Sequence, residues 1–157
     1  MNQRAIKVGI LGCGTVGSEV ARLIESDKSD LSARSGAALQ VIAIGVRDSA
    51  KARKGIQSNL LTDDLDSIVT HPEIEIVIEV MGGIEPARTL IMKALSAKKS
   101  VVTANKALLA LHGAEIFAAA KSNGVDLYYE AAVAGAIPII RPLRESVVGD
   151  SVHRVMG

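Results

Sequence analysis

The sequence has a single cysteine, Cys13, no tryptophan, and only Phe117, Tyr128 and Tyr129 as aromatic residues. One thiol cannot close an intrachain disulfide, so nothing ties the chain to an oxidising compartment. So few aromatic rings remove the stacking platform on which single-stranded nucleic acid is held. Neither sign of charge is in excess: 18 basic residues oppose 17 acidic ones, a formal net charge of +1 over 157 residues. With no electrostatic footprint for a polyanion, nucleic acid is not an expected partner. Long hydrophobic runs are missing as well. The longest, AAVAGAIPII, is interrupted by Gly135 and Pro138 and falls short of the ~18 to 20 apolar residues of a membrane span. Arg4 and Lys7 precede a short apolar stretch, but its glycines and the return of charge at Glu19 and Arg22 do not suit a signal peptide. A soluble cytoplasmic protein with no membrane partner is the expectation.

What the chain does have is aliphatic bulk, 48% of its residues being hydrophobic, and 14 glycines. Its length favours one compact domain, with room for the start of another. The apolar residues fall in short runs separated by helical patterns. Ile6 to Leu11 suits a strand covered on both faces, and Val16, Val20, Leu23 and Ile24 then recur at helical spacing. Residues 26–38 are polar and serine-rich and read as an exposed loop, followed by a second strand over Leu39 to Val46. A short helix is predicted near Asp64 to Val69, and a third strand over Ile74 to Val80 closed by Gly82 and Gly83. Pro86 suits a helix's first turn, with Leu90, Ile91, Ala94 and Leu95 as one apolar face. Ser100 to Thr103 reads as a fourth strand, Ala114 to Ser122 as a helix stopped by Asn123-Gly124, and Val125 to Glu130 as a fifth strand. Strands alternating with helices predict an α/β fold: a doubly wound, mainly parallel sheet of the Rossmann type over residues 1–130. Beyond it, residues 131–157 are small, apolar and proline-interrupted, with a strand expected over Val152 to Met156. They read as a connection into the start of a second, truncated domain.

The first run leads into GCGTVG, which places Gly12, Gly14 and Gly17 between strand and helix. Alone, such spacing is often a tight turn. In a strand-helix-strand unit each glycine acquires a purpose: Gly12 permits the turn, Gly14 lets a pyrophosphate approach the main chain, and Gly17 lets helix and strand pack closely. The amide groups opening the helix then hold phosphate, aided by the helix dipole. Cys13 between the glycines is a small space-filler. At the tip of the second strand Arg47 precedes Asp48, with Lys51, Arg53 and Lys54 following. A guanidinium there favours the 2′-phosphate of NADP through paired charge-assisted hydrogen bonds, whereas Asp48 facing the ribose would admit NAD. A solvated basic face is the plainer reading of residues 51–54.

Ligands of such sheets bind beyond the carboxyl ends of the strands, which draws in MGGIEP, TANKALLA and YEAAVAGAIP. Lys106 is the basic side chain in these segments that directly follows an apolar strand. It would act as a proton acceptor only if burial or positive neighbours depress its pKa, and otherwise as a fixed cation or an ordinary helix-start lysine. His71, His112 and His153 are scattered and complete no transition-metal pattern. Glu130 ends a strand before a small-residue loop whose carbonyls would be hard ligands for a simple cation, or it is a hydrogen-bonded loop carboxylate.

GILGCGTVGSEVA, IAIGVRD, EVMGGIEPA, VVTANKALLA and YEAAVAGAIPIIRPLRES occur in this order. Together they resemble the nucleotide-binding portion of the homoserine dehydrogenase family, from about Ile6 to Gly157. Ala136 departs from the pattern, standing where a second glycine is expected after Gly135. The resemblance implies NAD(P)-dependent, reversible oxidation of L-homoserine to L-aspartate 4-semialdehyde, in the aspartate-derived route to threonine and methionine. It implies cofactor contacts at Thr15 and Val16, 2′-phosphate contacts at Arg47 and Arg53, and Thr103 and Asn105 near the nicotinamide. It makes Lys106 a catalytic-site lysine next to cofactor and substrate. It also gives Glu130, with the backbone oxygens of Val133, Gly135 and Ile137, a monovalent-cation site, most plausibly for sodium. Members of the family are longer and place a second lysine and the substrate-binding carboxylates in a following domain, and the full-length protein is expected to be a homo-oligomer. This portion alone is therefore expected to bind cofactor and to oxidise homoserine poorly or not at all. The competing readings are another NAD(P)-dependent oxidoreductase of the same fold and a nonenzymatic dinucleotide-sensing domain.

Overall fold

The computed structural model describes residues 4–135, 137–147 and 149–154. Its centre is a six-stranded sheet, every pairing parallel, in the order β3-β2-β1-β4-β5-β6. The strands are β1 (Ala5–Leu11), β2 (Ala38–Gly45), β3 (Leu61–Thr62), β4 (Ile76–Glu79), β5 (Ser100–Thr103) and β6 (Leu127–Tyr128). The helices are α1 (Thr15–Ser26), α2 (Lys28–Ser35), α3 (Leu65–Thr70), α4 (Ala87–Ser96) and α5 (Lys106–Asn123). This is the expected doubly wound arrangement. After β1 the chain winds outward to β2 and β3, then returns to the other side of β1 for β4, β5 and β6, which makes β1/β4 the switch point.

The period of two within β1 divides the core. Val8 and Ile10 face one side and join Ala21 of α1, Ile44 and Val46. Leu11 faces the other, where Val77 and Val101 meet Ile68 of α3, Leu90, Ile91 and Leu95 of α4, and Leu108 and Ile116 of α5. Burying a side chain of this size stabilises the fold by about 1.5–3 kcal/mol each, so two-sided cover explains why the strands are apolar runs and not alternating patterns.

Several elements depart from the sequence-based expectation. Residues 28–35 form α2, not a loop, ending on Gly36 in the left-handed region (φ 75°). Nothing in α2 is buried; Arg34 pairs with Asp30 within it, and Lys28 reaches back to Glu25 of α1. Strand β3 was not expected, and the strand expected over residues 125–130 shrinks to β6, because Glu130 opens a 3-10 turn, Glu130–Ala132. Helix α5 begins at Lys106, well before Ala114. Of the predicted α1 stripe, Ile24 is buried, but Val16 and Leu23 are 56% and 38% exposed, the close packing being made by Gly17 and Ala21. Residues 151–154 carry no strand, and the remainder of that expected strand, like Ala136, lies outside the described residues. Among the described residues, no helix is long and apolar enough to cross a membrane.

Candidate dinucleotide site

The turn between β1 and α1 is shaped by what its glycines omit. Gly12 has φ 105°, and a Cβ there would lie 2.9 Å from the carbonyl oxygen of Val80. A Cβ on Gly17 would meet the Gly12 carbonyl oxygen at 2.0 Å, so helix and turn touch through main chain. A Cβ on Gly14 would meet nothing within 4 Å beyond its chain neighbours and would project into open space. The first two absences allow the fold; the third leaves a cradle. Hydrogen bonds from Gly12 N to Gly45 O (3.0 Å) and from Val80 N to Leu11 O (2.9 Å) fix the turn against β2 and β4. Ser18 donates from its amide and its hydroxyl to Gly14 O, so the intrahelical ladder starts at Ser18 and leaves the first amides of α1 without an intrahelical acceptor.

Two hollows adjoin along Val80 to Gly83. The first, about 580 Å³, is lined by Gly12, Cys13 and Gly14 and at its far end by Arg47, Arg53 and Leu65. The second, about 380 Å³, lies between Val16 on one side and Ala104 to Ala107 on the other. Both fall in the roughly 300–1,000 Å³ range of small-molecule sites. The exposed valine that spoiled the α1 stripe thus belongs to this trough and not to the core.

At the arginine end, Arg47 is exposed and half-buried Arg53 donates from Nη1 to Lys51 O at 3.3 Å. Asp48 accepts from Ala50 N at 3.0 Å, closing its own turn, and is not part of the lining. At the other end Lys106 is exposed, the first residue of α5, while Thr103 and Asn105 are 0% and 6% exposed. The Thr103 hydroxyl donates inward to Glu79 Oε2 at 2.6 Å. Asn105 caps α5 by accepting from Leu108 N (3.1 Å) and donates from Nδ2 to Gly83 O (2.6 Å). These two residues tie together the loops beneath the second hollow, whose lining includes Asn105. Thr15 opens α1, and its carbonyl accepts from the Ser18 hydroxyl at 3.2 Å.

Glu130 lies away from the trough. Its two carboxylate oxygens accept from Ile140 N and Arg141 N, each at 3.0 Å, so it caps the helical turn that begins there. Val133, Gly135 and Ile137 follow in a loop in which Ala134 and Gly135 both have positive φ (55° and 59°). Among the described residues no cluster of His, Cys, Asp and Glu forms a metal centre. His71 accepts from Glu73 N, and His112 pairs with Glu115.

Residues 12–130 match the family described as homoserine dehydrogenase, NAD binding domain. The chain belongs to that family. Homoserine dehydrogenase of Mycobacterium bovis is 53% identical over 99% of this chain, and that of Corynebacterium glutamicum 50% over 98%. The crystal structure of a homoserine dehydrogenase from Thiobacillus denitrificans superimposes with a TM-score of 0.85 at 45% identity, covering 93% of this chain and 34% of that one. The chain spans 35% and 34% of the length of the two curated relatives. Membership makes a nicotinamide dinucleotide the cofactor of this domain and agrees with the trough at its switch point. What the sequence did not disclose is Glu79, wholly buried at the end of β4. Its only signal was an acid inside the otherwise apolar IVIEV.

Proposed function

We propose that this chain is the cofactor-binding part of a homoserine dehydrogenase, an enzyme that oxidises L-homoserine reversibly to L-aspartate 4-semialdehyde on the route to threonine and methionine. The observation that carries the proposal is the trough itself: guanidinium groups at one end, a side-chain-free helix start in the middle, and a lysine at the other. In this reading the pyrophosphate lies against Gly12, Gly14, Thr15, Val16 and Gly17, where amides and the α1 dipole favour anions. Arg47 and Arg53 take the 2′-phosphate, which favours NADP over NAD, because Asp48 is committed to its own turn. The bound dinucleotide supplies hydride acceptance. The alcohol must lose its hydroxyl proton as well, and Lys106 contributes a positive charge near that oxygen.

Glu130 with the carbonyls of Val133, Gly135 and Ile137 is proposed to hold a monovalent cation such as sodium. The donor set is oxygen only, which suits a hard cation, and after accepting two amide hydrogens the carboxylate retains lone pairs. Residues 131–157 are proposed as the connection toward the substrate-binding part, since no strand follows β6 among the described residues.

The test is titration of the chain with NADPH and NADH, followed by nicotinamide fluorescence, together with assay of the complete gene product on L-homoserine. Saturable binding and homoserine-dependent reduction of NADP are expected. Absence of dinucleotide binding, or turnover of other alcohols in preference to homoserine, would overturn the reading. In that enzyme Lys106→Ala should lower kcat while cofactor affinity is largely kept.

A further inference from the structure

Glu79 is 0% exposed, and no described cation is paired with it. A buried carboxylate is costly unless hydrogen bonds satisfy it. Here Oε1 accepts from Met81 N (2.9 Å) and Gly82 N (3.2 Å), and Oε2 accepts from the Thr103 hydroxyl (2.6 Å). Thr103 Oγ1 in turn accepts from Asn105 N (3.1 Å), and Asn105 Nδ2 returns to Gly83 O (2.6 Å). The bonds close a circuit that ties the loop after β4 to the loop after β5. Those loops form the floor of the second hollow, beside Lys106.

All three groups facing the carboxylate are donors, so the position demands an acceptor-only side chain, which an ionised acid is and an amide is not. An apolar residue of similar volume would fill the space but leave two amides and a hydroxyl without their acceptor. The acid, by contrast, fixes the direction of two amides and one hydroxyl beneath the hollow.

We propose that Glu79 is a positioning residue for the nicotinamide half of the dinucleotide site, acting through Met81, Gly82 and Thr103 without touching the ligand. This deepens the proposed dinucleotide function and rests on it. In Glu79→Gln one amide nitrogen must confront a donor or displace the Thr103 proton, and the two loops lose their common anchor.

The experiment compares NADPH with 2′-phospho-ADP-ribose, and NADH with ADP-ribose, each second ligand lacking only the nicotinamide ring. Glu79→Gln should bind the intact dinucleotide about tenfold more weakly, with the ring-less ligand bound as in the wild type. Thr103→Val, which opens the circuit at its other end, should show the same selective loss and carries the test if Glu79→Gln does not fold. Equal losses for both ligands, or none for either, would overturn the proposal, and so would collapse of both variants, which would assign the circuit to folding. Failure of the wild type to bind any of these ligands would instead sink the dinucleotide reading itself.

Discussion

The Gly17 Cα points at the Gly12 carbonyl oxygen so closely that an added Cβ would lie 2.0 Å from it, whereas a Cβ on Gly14 would meet nothing within 4 Å. The two positions of one motif should therefore fail differently. Gly17→Ala forces main chain apart and should cost about 1–3 kcal/mol or more. Gly14→Ala, with an ordinary φ of −81°, should stay within about 1 kcal/mol of wild type yet fill the phosphate cradle. Thermal melts and dinucleotide titrations on both variants check this. A Gly14→Ala protein that bound dinucleotide as before would remove phosphate from that cradle.

The arginine end should govern cofactor choice. Loss of charge-assisted hydrogen bonds in Arg47→Ala is expected to weaken NADPH binding by about 1.5–3 kcal/mol, roughly 10- to 150-fold, and NADH much less. Asp48→Asn should alter neither by more than about twofold, since its oxygen serves the Ala50 amide. Paired NADPH and NADH affinities decide it, and parallel losses for both cofactors after Arg47→Ala would speak against a 2′-phosphate contact.

At the opposite end of the sheet Lys99 is 4% exposed, its Nζ donating to His71 O and, at 2.7 Å, to Ile74 O. Lys99→Met takes the lysine donor from Ile74 O and leaves His71 O with the Ile74 amide (3.3 Å), and should destabilise by about 1–3 kcal/mol near neutral pH. Burial also holds the ammonium below its ordinary value of 10.5. Between the lowered folded value and 10.5 the unfolded chain binds more protons, so wild-type stability should rise with pH there relative to Lys99→Met. Below that window the difference should be flat. Urea midpoints measured from neutral into alkaline pH test both parts, and an unchanged midpoint at neutral pH would refute the brace.

Arg88 of α4 grips Glu115 of α5 through two hydrogen bonds, one of them from Nη2 to Oε2 at 2.8 Å. Those bonds first, then the Arg88 charge and His112, lower the Glu115 pKa from 4.5. The folded value being depressed, the contribution is whole above 4.5 and disappears as pH falls through the folded value. Glu115→Gln should lower the neutral plateau while leaving stability below the folded value little changed, so that its acid flank is shallower than that of the wild type. Superimposable acid denaturation curves would contradict the pairing.

The alternation of strands and helices was legible because burial on both faces leaves mostly apolar runs such as those of β1 and β4. Helix α2 was not, for KSDLSARS has no apolar face and buries no residue, so its sequence reads as a polar loop. Nor was β3, whose two residues pair only with Ile44 and Gly45 and are too few to show a period. The early start of α5 was hidden because its outward face carries Leu111 and Phe117 and presents no clear stripe; the Asn105 cap sets the start instead. At the site, the glycines were readable because a missing side chain is itself a message. Glu79 was obscure because its partners lie 2, 3 and 24 residues away, a separation only the folded sheet closes.

The sheet tapers from 7 and 8 residues in β1 and β2 to two residues in each outermost strand. A foreign strand laid along either margin would find so little main chain to pair with that the ladder could not propagate. Within this chain, then, the margins of the sheet offer another polypeptide little ladder to extend, and the long hydrogen-bonded rows lie at its middle.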